Sequence, residues 1–126
     1  MFLLGDNADR LYLVVTGSVD LCFPIRLHGV VKDITVETAA AGKTLGWSAL
    51  VKPYRFTLSA RVAEPTEVMA FTRRELLEFF DAEPRIGFAL LTRISELVGV
   101  RLLRVQALWV RELQRTLLHE TERREV

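Results

Sequence analysis

Glycine and proline divide the first part of this chain into short runs of alternating apolar and polar residues, and that punctuation constrains the fold more than any other feature. Residues 10–15 and 18–25 are rich in Val, Leu and Tyr, with Thr16-Gly17 between them. Val19, Leu21 and Phe23 alternate with Ser18, Asp20 and Cys22. Successive side chains of a strand point to opposite faces, so this is the pattern of a half-buried strand. A turn at Leu27, His28 and Gly29 precedes a third run, 30–38, where Lys32, Asp33, Thr35 and Glu37 lie among Val31, Ile34 and Val36. Residues 39–42 read as a loop. Two more strands are predicted over 56–62 and 66–71, separated by Glu64-Pro65. Many short strands with closely spaced turns suggest a barrel or sandwich.

Beyond residue 71 the period changes. Thr72-Arg73-Arg74-Glu75 is a capping box, so a helix starts there and carries Leu76, Leu77, Phe79 and Phe80. Asp81 and Pro84 open another helix. From Ile86 to about Glu122 only Gly87 and Gly99 interrupt the helical pattern. Gly99 predicts a bend between a shorter helix and a long terminal one. Leu102, Val105, Trp109, Leu113 and Leu117 recur at three- and four-residue spacing and form an apolar stripe, which predicts a partner helix. Arg101, Arg104, Arg111 and Arg115 alternate with Glu96, Glu112 and Glu120, which reads as a solvated face. Residues 119–126 are mostly charged and are predicted to fray. The expected division is a β-rich core with its flanking helix over 1–80 and a C-terminal helical segment over 81–126.

Composition excludes several classes. A chain of 126 residues suits one domain with a real core, and 50% hydrophobic with 26% charged residues argues against disorder. A net charge of +1 gives no global electrostatic reason to bind nucleic acid. One cysteine, Cys22, allows no intrachain disulfide and makes a reduced, cytoplasmic setting the simpler expectation. No apolar run is long enough to span a membrane. Met1 to Leu4 are apolar, but Gly5-Asp6 ends the run, so no signal peptide is read. Cys22, His28 and His119 form no metal-ligand cluster, and neither a phosphate loop nor a dinucleotide glycine motif occurs. Gly46-Trp47-Ser48-Ala49-Leu50 echoes the nucleophile elbow but lacks its second glycine. No enzyme, metal or cofactor is expected.

Residues 42–60, GKTLGWSALVKPYRFTLSA, resemble the phosphate-binding cassette of the cyclic nucleotide-binding domain. That family includes catabolite-activator-type regulators and the regulatory subunits of cAMP-dependent kinase. Gly46, Ala49 and Leu50 match the first part of the cassette, and Pro53, Thr57 and Ala60 match the second. Gly5-Asp6, the strand residues 11–14, Gly17-Ser18-Val19 and Gly42 extend the resemblance, which covers about residues 5–71. It implies a mainly β fold with C-terminal helices: a double-stranded β-helix, or jelly roll, followed by a long helix that dimerises. It also implies a regulatory function, with a cyclic nucleotide or another anion as the small ligand and a homodimer as the assembly. In the family a helix and a strand precede the Gly-Asp turn. Only residues 1–4 do so here, so an exposed sheet edge is expected. The family's regulators carry a helix-turn-helix after the long helix, and none lies before Val126. No nucleic-acid partner is therefore expected for this chain alone.

Two positions depart from the family pattern. The glutamate that accepts the ribose 2′-hydroxyl falls on Trp47, and the arginine that pairs with the cyclic phosphate falls on Tyr54, with Arg55 next to it. A buried phosphate needs a compensating cation or several N–H donors. Losing one partner of a buried charge pair costs about 2–5 kcal/mol, or about 30-fold to several thousandfold in affinity. Neighbours on a strand face opposite ways, so Tyr54 and Arg55 cannot both enter the site unless the backbone bulges. The candidate ligand residues are Gly46, Trp47, Ser48, Ala49, Leu50, Tyr54, Arg55, Phe56 and Thr57. The candidate dimer seam is Leu102, Val105, Trp109, Leu113 and Leu117. Four readings stay open: a sensory module binding cAMP or cGMP weakly or not at all, a true receptor using Arg55, a ligand-independent dimerisation scaffold, and a fragment of a DNA-binding regulator whose reader lies outside this chain.

Overall fold

The computed structural model describes residues 1–124. Met1–Ala82 forms one compact unit, and the described residues from Glu83 onward form a second. The first unit holds six strands: β1 (Arg10–Thr16), β2 (Ser18–Leu27), β3 (Val30–Ala40), β4 (Thr44–Leu45), β5 (Ser59–Val62) and β6 (Glu67–Thr72). They make two three-stranded antiparallel sheets, ordered β4-β1-β6 and β3-β2-β5. This is the jelly-roll β-fold that the family resemblance implies, and it meets the barrel or sandwich expected from the strand pattern.

Turn chemistry sets the registers. His28 and Gly29 both have positive φ, 49° and 79°, as a two-residue hairpin turn matched to strand twist requires. Leu27 then faces Val30, and Phe23 faces Ile34. A bulge shifts the register between Leu21 and Cys22. At the β1–β2 junction Gly17 has φ +86°, and a Cβ there would lie 2.5 Å from the Pro65 carbonyl oxygen. Only glycine fits both demands.

The core joins Val14, Val19, Leu21, Ala39, Leu45, Ala49, Phe56 and Ala60 with Phe2 and Ala8. Phe2 stacks on Phe56 with ring centroids 3.7 Å apart. Its backbone bridges Ala60, whose N–H donates to the Phe2 carbonyl at 2.9 Å. The short N-terminal run thus pairs along β5. The strand expected over 56–62 begins only at Ser59, because the N–H of Phe56 is drawn to the Asp6 carbonyl, at 3.0 Å, instead of to a sheet neighbour. The two-residue β4 lies just after the expected loop at 39–42, too short to show an alternation in sequence.

Helix α1 (Arg73–Ala82) starts as its capping box predicts: the Glu75 N–H donates to Thr72 Oγ1 at 3.1 Å. In the second unit, α2 (Pro84–Arg124) runs 41 residues, about 60 Å. It opens with Pro84 in the first turn. The bend expected at Gly99 does not divide the segment into two helices: α2 is continuous across it. One interior glycine costs about 1 kcal/mol against alanine, and Glu96, Leu97, Arg101 and Leu102 outside the Val98-Gly99-Val100 step are good helix formers that carry the helix through. The helix also continues across 119–124, where fraying was expected, with His119 Nδ1 3.9 Å from Glu122 Oε2; residues 125 and 126 lie outside the described residues. Leu102, Val105, Trp109, Leu113 and Leu117 are all exposed, Trp109 at 65%. Arg104, Arg111 and Arg115 are exposed and Arg101 half-buried. Arg115 meets Glu112 at 3.3 Å, a solvated pair of small energetic worth. Among the described residues no helix is long and apolar enough to cross a membrane.

Candidate functional site

The segment 46–57 is built against the turn at residues 5–8. Gly46 turns the chain with φ +85°, and a Cβ there would sit 2.9 Å from the Arg10 carbonyl oxygen and 3.4 Å from the rings of Phe56 and Tyr12. It opens a short 3-10 helix, Trp47–Leu50, closed by Ala49 N–H to Gly46 O at 3.0 Å and Val51 N–H to Ser48 O at 3.3 Å. Ser48 and Ala49 are buried, whereas Trp47 and Leu50 are half-buried.

The return segment is laced to the Gly-Asp turn by the backbone. Ala8 N–H donates to Tyr54 O at 2.8 Å, Phe56 N–H to Asp6 O at 3.0 Å, and Gly5 N–H to Phe56 O at 2.8 Å. Asn7 and Arg55 form an isolated bridge. Two sequence features far apart in the chain are thereby laid side by side, which explains why both belong to one pattern.

The side chains then diverge. Phe56 points into the core, and Thr57 is exposed. Tyr54 has φ +59°, the left-handed region, and is half-buried. The Arg73 guanidinium lies 3.6 Å over its ring. Arg73 also donates from Nε to Ala49 O at 2.6 Å and from Nη2 to Ala8 O at 2.8 Å. Arg55 is exposed and donates from Nη1 to Gly5 O at 3.2 Å. Main-chain carbonyls thus meet both guanidinium groups.

Arg73 and Phe2 were not among the residues singled out by sequence. In the sequence Arg73 stands only as part of a cap, and no local periodicity points across the chain to Ala8, Ala49 and Tyr54. Phe2 was read only as part of a short apolar run. The site brings together aromatic faces and two guanidinium groups, and its main-chain amides at Ala49, Val51, Tyr54 and Phe56 donate to neighbouring carbonyls. Ser48 is buried, His28 lies in the β2–β3 turn and His119 is exposed on α2, so no nucleophile–base pair is assembled at residues 46–57. Among the described residues no group of three or more His, Cys, Asp or Glu could hold a metal ion.

The profile of the cyclic nucleotide-binding domain matches residues 1–83. Among curated proteins, none matches the chain. Among solved structures, the catabolite activator protein of Thermus thermophilus is similar, with a TM-score of 0.72 and 26% identity, over 86% of this chain and 49% of that one. A cyclic nucleotide-binding domain from Methylobacillus flagellatus KT gives 0.65 and 25%, over 80% and 55%. The N-terminal domain of a transcriptional regulator from Streptomyces coelicolor A3(2) shares the fold at 0.61 and 22%, over 78% and 68%. The chain spans about half the length of the Thermus protein.

Proposed function

We propose that this chain, which belongs to the cyclic nucleotide-binding domain family, is a non-catalytic regulatory module in the cytoplasm. It senses a small ligand at residues 46–60 and answers through the packing of its C-terminal helices. It binds cAMP and cGMP weakly or not at all. One observation carries this reading: the side chain of Tyr54, at the phosphate-pairing position, lies against Arg73, while Arg55 is held on the Gly5 carbonyl. Engaging a cyclic phosphate would require breaking an existing contact. Trp47 meanwhile cannot accept the ribose hydroxyl as a glutamate would, because indole is a donor only.

The test is a thermal-shift panel of cAMP, cGMP, cyclic dinucleotides and common anionic metabolites up to millimolar concentration. Ligand that binds only the folded state stabilises it by RT ln(1 + [L]/Kd). The expected result is no saturable shift with cAMP or cGMP; a saturable shift in the micromolar range would contradict weak binding. That outcome would favour the second reading, a receptor using Arg55, which the exposure of Arg55 supports. Loss of the shift in Arg55→Ala would then identify the residue. If no compound shifts the protein at all, the reading becomes a dimerisation scaffold.

The assembly we assign to the module is a homodimer through α2. Its support is the exposed stripe Leu102, Val105, Trp109, Leu113 and Leu117, whose spacing keeps it on one helix face. Sedimentation equilibrium should show a dimer at micromolar concentration, with Trp109→Glu plus Leu113→Glu shifting it at least about tenfold toward monomer. A wild-type monomer under those conditions would refute the assignment.

A further inference from the structure

We propose that Tyr54 and Arg73 form an intramolecular latch that holds residues 46–54 closed in the absence of ligand, with Arg73 as its positioning residue. The inference rests on the reading of residue 54 as the phosphate-pairing position. In the family pattern an arginine there pairs with the cyclic phosphate of the ligand. Here the aromatic side chain is drawn in by a cation belonging to the protein.

Three segments distant in sequence converge on one planar group. Arg73 Nε takes the carbonyl of Ala49, at the end of the 3-10 helix that carries Trp47. Helix ends leave carbonyls without internal partners, and a cation is favourable there. Nη2 takes the carbonyl of Ala8, beside the turn that laces the return segment. The guanidinium face covers Tyr54 at 3.6 Å. Its base is fixed, because Arg73 is the first residue of α1 and its own N–H donates to Asp9 O at 3.2 Å. A fork with donors in one plane and an aromatic-stacking face is specific to arginine, and lysine cannot reproduce it. Tyr54 reports the same constraint from its backbone. A bulky residue at φ +59° stays in that region only where its surroundings hold it.

The amides of Ala8, Ala49, Val51 and Tyr54 each donate within this cluster and serve as reporters. Hydrogen exchange of the full chain, without ligand, should speed up about 3- to 30-fold at these four amides in Tyr54→Leu. Tyr54→Phe keeps the aromatic face and should leave them near wild type. Arg73→Lys keeps the charge without the fork and should resemble Tyr54→Leu. Amides of the β2–β3 hairpin should not change in any of these variants. Exchange unchanged in Tyr54→Leu would overturn the latch, as would Tyr54→Phe behaving like leucine, or a uniform rise that includes the hairpin. If Arg73→Lys does not fold, the two Tyr54 variants decide alone. No ligand enters the experiment, so failure here removes the latch and leaves the sensing reading to the ligand panel.

Discussion

Phe56→Ala lowers the stability of the β-roll by about 3–5 kcal/mol, a large share of the roughly 5–15 kcal/mol that holds a typical domain together. Phe56 is 5% exposed, stacks on Phe2 at 3.7 Å and has Cε1 3.4 Å from where a Cβ on Gly46 would be. Removing the ring leaves a cavity that the backbone cannot readily close, because the amide and carbonyl of residue 56 are tied to Asp6 and Gly5. The loss therefore includes the cavity term as well as the transfer term. Urea unfolding followed by Trp fluorescence should show the midpoint falling with the slope unchanged. Thr57→Ala, one residue on and exposed, is the internal control and should stay within about 0.5 kcal/mol of wild type. Equal losses in both variants would show that the Phe2–Phe56 stack is not the anchor of this segment.

Local rules made most of the roll legible. The alternation over 18–25 and the turn at residues 27–29 predict strands close to β2 and β3, because strand period and turn chemistry are both local. The capping box likewise placed the start of α1 where the Thr72 hydroxyl meets the Glu75 N–H. Sequence failed where a long-range contact overrode the local pattern. Residues 56–58 look like strand, yet the backbone at 54–56 is held by the turn at 5–8 rather than by the sheet. Gly99 looks like a bend between two helices, yet one helix runs across it. The candidate site followed the same division. Gly46 was found from its motif, and its positive φ and crowded Cβ position give the physical reason. Arg73 was missed because its partners, Ala8, Ala49 and Tyr54, lie far apart in the chain.

The second large effect concerns the ligand. Trp47→Glu combined with Tyr54→Arg should raise affinity for cAMP by at least about 30-fold, the lower end of what one buried charge partner contributes. Glutamate at 47 restores an acceptor for the ribose hydroxyl. Arginine at 54 gives up the stack on Arg73 and brings a second guanidinium close to it. Two like charges at short range repel unless an anion sits between them, so the cyclic phosphate is favoured at just that place. Each single variant should gain less than the pair, since the two groups contact different parts of one ligand, the ribose 2′-hydroxyl and the cyclic phosphate.

Calorimetric titration of cAMP into wild-type protein and into the Trp47→Glu/Tyr54→Arg variant tests the central claim most directly. The account predicts no saturable heat for wild type up to millimolar ligand and measurable binding at least about 30-fold tighter for the variant. Micromolar binding by the wild-type protein, or no gain in a variant that remains folded, would contradict it.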